Sequence, residues 1–207
     1  MNAAIILCFV TAPHATQGQE SGQPVRQQAR NGTVSIDVFA QDLTVDLLTT
    51  ERDGNDLNLY HQRSFDGGET WGPARTIDTA AKPISIARRG NEPQVVAYEE
   101  HVAVHWSTKG TARYGAGPMV TAISDDAGRT WRLGPNPRHD DFTGAQNFAD
   151  MTADKDGTFY VAWIGSHDGP AGRALELARS RDFGKSWEQH QLSLIHISEP
   201  TRRTPIS

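Results

Sequence analysis

Side chains able to move protons or grip anions fall in short polar stretches between apolar runs. One stretch is Arg52-Asp53-Gly54-Asn55-Asp56, and another is Arg88-Arg89. Lys109 with Arg113, Arg138-His139-Asp140-Asp141, and His167-Asp168 with Arg173 complete the set. A carboxylate such as Asp53 or Asp56 can serve as a general acid or base. A guanidinium can hold a substrate carboxylate through two parallel hydrogen bonds. Each cluster also has an ordinary alternative. Asp53-Gly54-Asn55-Asp56 has the residue types of a polar hairpin loop, and Arg88-Arg89 those of a solvated pair. No metal or cofactor is expected. His139-Asp140-Asp141 has no partner cluster, and His101 and His105 would stand roughly 13 Å apart on an extended strand.

The most conspicuous carboxylates belong to a repeat. Ser64-Phe65-Asp66-Gly67-Gly68-Glu69-Thr70-Trp71 recurs from Ser124 to Trp131 and from Ser180 to Trp187. The three starts lie 60 and 56 residues apart, and the shared pattern is Ser-x-Asp-x-Gly-x-Thr/Ser-Trp. The Asp can accept backbone N–H bonds of its own turn. The Gly supplies positive φ, and the Trp anchors the turn by burying its indole at the start of the next strand. Asp66, Asp126 and Asp182 are therefore read as turn braces.

Strands must position these turns. The apolar alternation gives four per repeat, beginning with Val34–Ala40, Thr44–Thr50, Leu57–Arg63 and Thr70–Ile77. The second repeat has Gln94–Tyr98, Val102–Ser107, Met119–Ile123 and Thr130–Leu133. The third has Ala149–Ala153, Phe159–Ile164, Ala174–Ala178 and Ser186–Gln191. Trp106 and Trp163 occupy the second strands of their repeats, where the first repeat has leucines. No segment keeps a 3.6-residue apolar period. The expected fold is all-β, a partial β-propeller of about three four-stranded blades.

These boxes resemble those of the sialidase (neuraminidase) superfamily of Asp-box, or BNR-repeat, propellers, over Gly32 to Gln191. The resemblance implies that the boxes join the third and fourth strands of each blade. It places a glycosidase active site on the opposite face. It also implies an arginine cluster for the substrate carboxylate, an Asp general acid/base, and a Tyr nucleophile activated by Glu. Gly54-Asn55-Asp56-Leu57-Asn58-Leu59 resembles the stretch before the first box in sialidases, which makes Asp53 and Asp56 the catalytic candidates. Arg52, Arg88, Arg89 and Arg113 are the substrate-binding candidates. The family's Arg-Ile-Pro motif is absent: Arg30-Asn31-Gly32 stands near its place. Three functions stay open. One is a fragment of an exported sialidase-like hydrolase whose active site is incomplete in this chain. The second is a non-catalytic propeller binding glycan or protein. The third is a related Asp-box glycosidase that uses two carboxylates on another polysaccharide.

Twenty Lys and Arg stand against 25 Asp and Glu, with no basic run interleaved with aromatics, so no nucleic-acid partner is expected. The one cysteine, Cys8, excludes an intrachain disulfide. Ala3 to Ala12 is an apolar run too short to span a bilayer. Residues 1–18 are read as a signal segment and 19–31 as a polar linker, giving a secreted or periplasmic location. Leu192 to Arg202 resembles a translated sequencing adapter, so 192–207 is read as a non-native, disordered tail. An incomplete propeller leaves open blade faces, and poor solubility is expected from them.

Overall fold

The computed structural model describes residues 32–53, 56–77, 90–109, 116–138, 146–166 and 173–192. The leader, the linker, Arg88, Arg89, Arg113 and residues 193–207 lie outside them.

Twelve strands form three four-stranded antiparallel sheets, each in sequential order. Blade 1 comprises β1 (Thr33–Gln41), β2 (Thr44–Asp53), β3 (Asp56–Ser64) and β4 (Arg75–Ile77). Blade 2 comprises β5 (Gln94–Tyr98), β6 (His101–Lys109), β7 (Ala116–Ser124) and β8 (Arg132–Gly134). Blade 3 comprises β9 (Gln146–Ala153), β10 (Phe159–Ser166), β11 (Arg173–Ser180) and β12 (Glu188–Leu192). Among the described residues every regular element is a strand. The chain is a partial β-propeller. β12 runs one residue into the segment read as a tail, with Leu192 opposite Leu175.

The innermost strands line up from blade to blade, β1 beside β5 and β5 beside β9. A side chain crosses each junction. The Val95 amide donates to Asp37 Oδ2 at 2.8 Å, and the Met151 amide donates to Gln94 Oε1 at 2.7 Å. The core lies between blades. Leu48, Leu59 and Ile77 of blade 1 pack with Val95, Val102, Val104 and Trp106 of blade 2. Val96, Met119 and Ile123 of blade 2 pack with Phe159, Val161 and Trp163 of blade 3. Each blade thus buries one face of alternating side chains against the next, as stacked repeats do.

The register corrects one expectation. Ser64, Ser124 and Ser180 stand opposite Val45, Val102 and Phe159. Four residues further along the second strand come Thr49, Trp106 and Trp163. The blade 1 counterpart of the two tryptophans is therefore Thr49, not a leucine. Trp106 and Trp163 are fully buried against the preceding blade, whereas Thr49 lies on the face of blade 1 turned away from blade 2.

The fourth strands also start later than their Trp. Trp71 precedes β4, which begins at Arg75, and Trp131 and Trp187 immediately precede β8 and β12. The box itself is the cause. Its Thr70 amide is taken by Asp66, and the Gly72 amide returns to the Arg63 carbonyl at 2.9 Å. Pro73 has no amide to give.

Candidate functional site

The three boxes share one bonding scheme. Each Ser hydroxyl accepts the amide of the box Gly: Gly68 at 2.9 Å, Gly128 at 2.9 Å and Gly184 at 2.7 Å. It donates to the Asp at 2.7, 2.7 and 2.8 Å. The same carboxylate oxygen accepts the Thr70, Thr130 and Ser186 amides, each at 2.8 Å. The other oxygen accepts the Thr70, Thr130 and Ser186 hydroxyls. Bonds from Ser64 and Thr70 hold Asp66 down at about 2. Desolvation pushes Asp126 up, but bonds from Thr130 and Ser124 outweigh it and bring it to about 2. These carboxylates are committed to their own turns, which leaves them no part in proton transfer to a ligand.

A second feature of the box was illegible in the sequence. The residue before the box Gly is also left-handed: Gly67 at φ 73°, Ala127 at 60° and Phe183 at 59°. Because its type varies from Gly to Ala to Phe, no residue preference marks it.

The boxes lie at the same end of the blades as the turns between first and second strands. The Gly67 amide bonds the Leu43 carbonyl at 2.8 Å, and the Ala127 amide bonds Glu100 at 2.7 Å. The ends of β2 and β3 that carry Arg52, Asp53 and Asp56 therefore lie at the other end.

At that end the blade 1 hairpin brings Asp53 opposite Asp56 and Arg52 opposite Leu57. The Arg52 amide donates to the Gly32 carbonyl at 2.8 Å, tying the start of β1 to the hairpin. Arg52 and Asp56 are both exposed. By two-residue alternation Arg52 follows Leu48 and Thr50, on the side of blade 2. Asp56 precedes Asn58 and Tyr60, on the opposite side of the sheet. The structure pairs Asp53 with Asp56 in register but does not gather Arg52 with Asp56. The remaining substrate-binding candidates, Arg88, Arg89 and Arg113, lie outside the described residues.

Between blades 2 and 3 a buried ion pair closes this end. Arg138, in the connection after β8, lies 3.6 Å from Glu176 of β11, and both are almost fully buried. Gln189 donates to the other Glu176 oxygen at 2.7 Å. Gly165 makes room, since a Cβ there would meet Glu176 Oε1 at 1.9 Å. Gln146 bridges nearby, accepting the Met119 amide through its side chain and the Ser107 hydroxyl through its carbonyl. Glu176 is a lone acid within a strand whose neighbours are apolar, which was the available signal for it. Closed off from solvent, the pair joins blades rather than meeting a ligand.

On the box face, Asp46, His61 and Arg63 form a second buried polar group. Asp46 accepts from Arg63 Nε at 2.8 Å and Nη2 at 3.0 Å and lies 2.7 Å from His61 Nε2. Arg63 Nη1 reaches the Glu99 carbonyl of blade 2 at 2.6 Å. A cleft of about 320 Å³ opens above, lined among others by Asp42, Tyr98, Glu99 and Lys155 from the inner turns of all three blades. Among the described residues no group of three metal-ligating side chains forms, and no helix is long and apolar enough to cross a membrane.

No protein-family model matches the chain, and no curated protein matches it. Solved structures do. An ulvan lyase of polysaccharide lyase family PL25 has a TM-score of 0.51 at 12% identity, over 75% of this chain and 36% of that one. The same enzyme bound to a glucuronosyl-sulforhamnose glycan has a TM-score of 0.50 at 11% identity, over 75% and 36%. A family 117 glycoside hydrolase of the marine bacterium Zobellia galactanivorans has a TM-score of 0.49 at 11% identity, over 78% and 56%. The chain spans well under two thirds of each. At 12% identity the likeness to the ulvan lyase shows the fold alone.

Proposed function

We propose that this chain is part of an exported, sialidase-like propeller protein whose role is to recognise glycans, and that the portion present binds them without turning them over. The observation that speaks against turnover is the placement of Arg52 and Asp56 on opposite sides of the blade 1 sheet. A general acid and a carboxylate clamp acting on one sugar must converge within a few ångström. The sialidase-like side is supported by three boxes that share the same Ser–Gly, Ser–Asp and Asp–Thr/Ser hydrogen bonds on a propeller frame. The fold-similar ulvan lyase, which was solved with a glycan bound, is consistent with a glycan partner. Export is supported by the apolar run Ala3 to Ala12.

The test has two arms. Purified chain is assayed with a fluorogenic sialoside and applied to immobilised acidic glycans. No turnover above buffer is expected, with glycan retention that weakens in Arg52→Ala. Turnover abolished by Asp56→Asn would establish the hydrolase instead. Failure to retain any glycan would overturn the binding role.

A further inference from the structure

The second and sixth residues of neighbouring boxes meet across a blade junction. Between blades 2 and 3, Lys185, sixth in its box, lies 3.0 Å from Asp125, second in the box before it. Asp125 also holds Arg132 at 3.0 Å and His101 at 2.9 Å. Between blades 1 and 2 the same two positions carry Arg129 and Phe65. Phe65 has no charge to offer, and it is 67% exposed. Arg129 is exposed as well, and so is Arg75 of β4. Neither guanidinium has a hydrogen bond or ion pair among the described residues.

Phe65, Arg75 and Arg129 line one cleft of about 220 Å³, together with His61, Gly72 and Pro73. Register sets Arg75 opposite His61, on the side of the sheet turned to blade 2. The Gly72-Pro73 stretch has no counterpart between Trp131 and β8, so this wall is peculiar to the first box. Every residue lining the cleft belongs to blade 1 or blade 2, and its shape is set by a junction inside the chain.

We propose that this cleft is a second ligand site, which takes an acidic sugar residue. The sugar's carboxylate or sulfate ester pairs with Arg129 and Arg75, and its ring lies on Phe65. The anion takes the role that Asp125 plays at the next junction. A guanidinium suits such an oxyanion because it offers parallel N–H donors. The apolar face of a sugar ring would remove Phe65 from water. The volume falls below the roughly 300–1,000 Å³ of pockets for drug-sized molecules, which suits one ring of a glycan. The anion rests on the two unpaired arginines alone, whereas the sugar rests on the glycan role proposed above. The site lies at the box end of the blades, and Arg52 lies at the other.

The experiment is ligand-observed NMR titration of the full chain with three probes: methyl galacturonoside, a sulfated methyl galactoside and plain methyl galactoside. An acidic probe is expected to bind and the neutral one not, and the tighter acidic probe identifies the anion. Arg75→Gln and Arg129→Gln are each expected to weaken binding about tenfold, the loss of one charge-assisted pair. Phe65→Asp gives the first box the carboxylate that Asp125 gives the second, so it should occupy Arg129 and abolish binding. Phe65→Leu keeps an apolar wall and should weaken binding less. All three positions are exposed, and circular dichroism checks that each variant is folded. Equal binding of the neutral probe, or of inorganic sulfate, would overturn the proposal. So would arginine variants that bind like the parent, or a parent that binds no probe. Loss in Arg52→Ala but not in Arg129→Gln would place the acidic sugar at the blade 1 hairpin, overturning this site while keeping the glycan-binding reading.

Discussion

His101 of blade 2 and Phe183 of blade 3 are stacked face to face, with centroids 3.8 Å apart and planes 4° from parallel. Phe183 reaches this position from a left-handed backbone, φ 59°, within the third box. Its ring also contacts Tyr98 and Phe159, so the box turn doubles as a wedge between blades. Next to it, the Lys185 ammonium of the third box meets the Asp125 carboxylate of the second at 3.0 Å.

The two properties of Phe183 can be separated by substitution. Phe183→Ala loses the ring contacts but keeps the left-handed backbone, and is expected to destabilise the fold by about 2 kcal/mol. Phe183→Gly loses the same contacts but relieves a left-handed penalty of about 1 kcal/mol. In urea unfolding the glycine variant should be the more stable of the two, the reverse of their order in a strand.

Gly67, just before the box Gly of the first repeat, and Gly128, the box Gly of the second, differ in what surrounds them. A Cβ at Gly128 would meet buried His61 Nδ1 at 2.1 Å, whereas at Gly67 the nearest atom is Leu43 Cδ2 at 3.7 Å. Both have positive φ. Gly67→Ala is expected to cost about 1 kcal/mol, the backbone term, and Gly128→Ala about 3 kcal/mol or more. Thermal melting of the two variants compares them directly.

His105 is fully buried, its Nε2 3.3 Å from Gln94 Oε1, and burial pushes it down to about 4. Its unfolded value is higher, so the unfolded chain takes up the proton first as pH falls. Stability is therefore present above pH 6.5 and drains away between about 6.5 and 4, by up to about 3 kcal/mol. His105→Gln should flatten that slope in chemical unfolding at a series of pH values. The box carboxylates act lower. Asp66 and Asp126, held at about 2, keep their contribution until pH falls through about 4 towards 2.

Arg138→Met strands Glu176 inside the blade 2–3 junction without its cation and is expected to cost about 3–5 kcal/mol. Arg138→Met with Glu176→Met removes both charges and should recover most of that loss. A double-mutant cycle by denaturant unfolding reads the coupling, and additive losses would show that the pair contributes nothing.

The sequence by itself determined the blades and the braces. Each box is closed by hydrogen bonds between residues two to four apart, such as Ser64 with Asp66 and Asp66 with Thr70, so eight residues suffice to specify it. The strands followed from alternation, which is equally local. Tertiary structure decided what depends on partners far along the chain. Twist and register put Arg52 and Asp56 on opposite sides of one sheet, although only three residues separate them. Glu176 stands out in the sequence only as a lone acid between leucines, and its partners Arg138 and Gly165 are brought around it by the fold. Ala127 and Phe183 adopt left-handed backbones that their residue types disfavour: the Ala127 amide is held by the Glu100 carbonyl of the neighbouring turn, and the Phe183 ring stacks on His101 of the preceding blade. Short-range bonds are fixed by adjacency, whereas inter-blade contacts exist only once the blades have stacked.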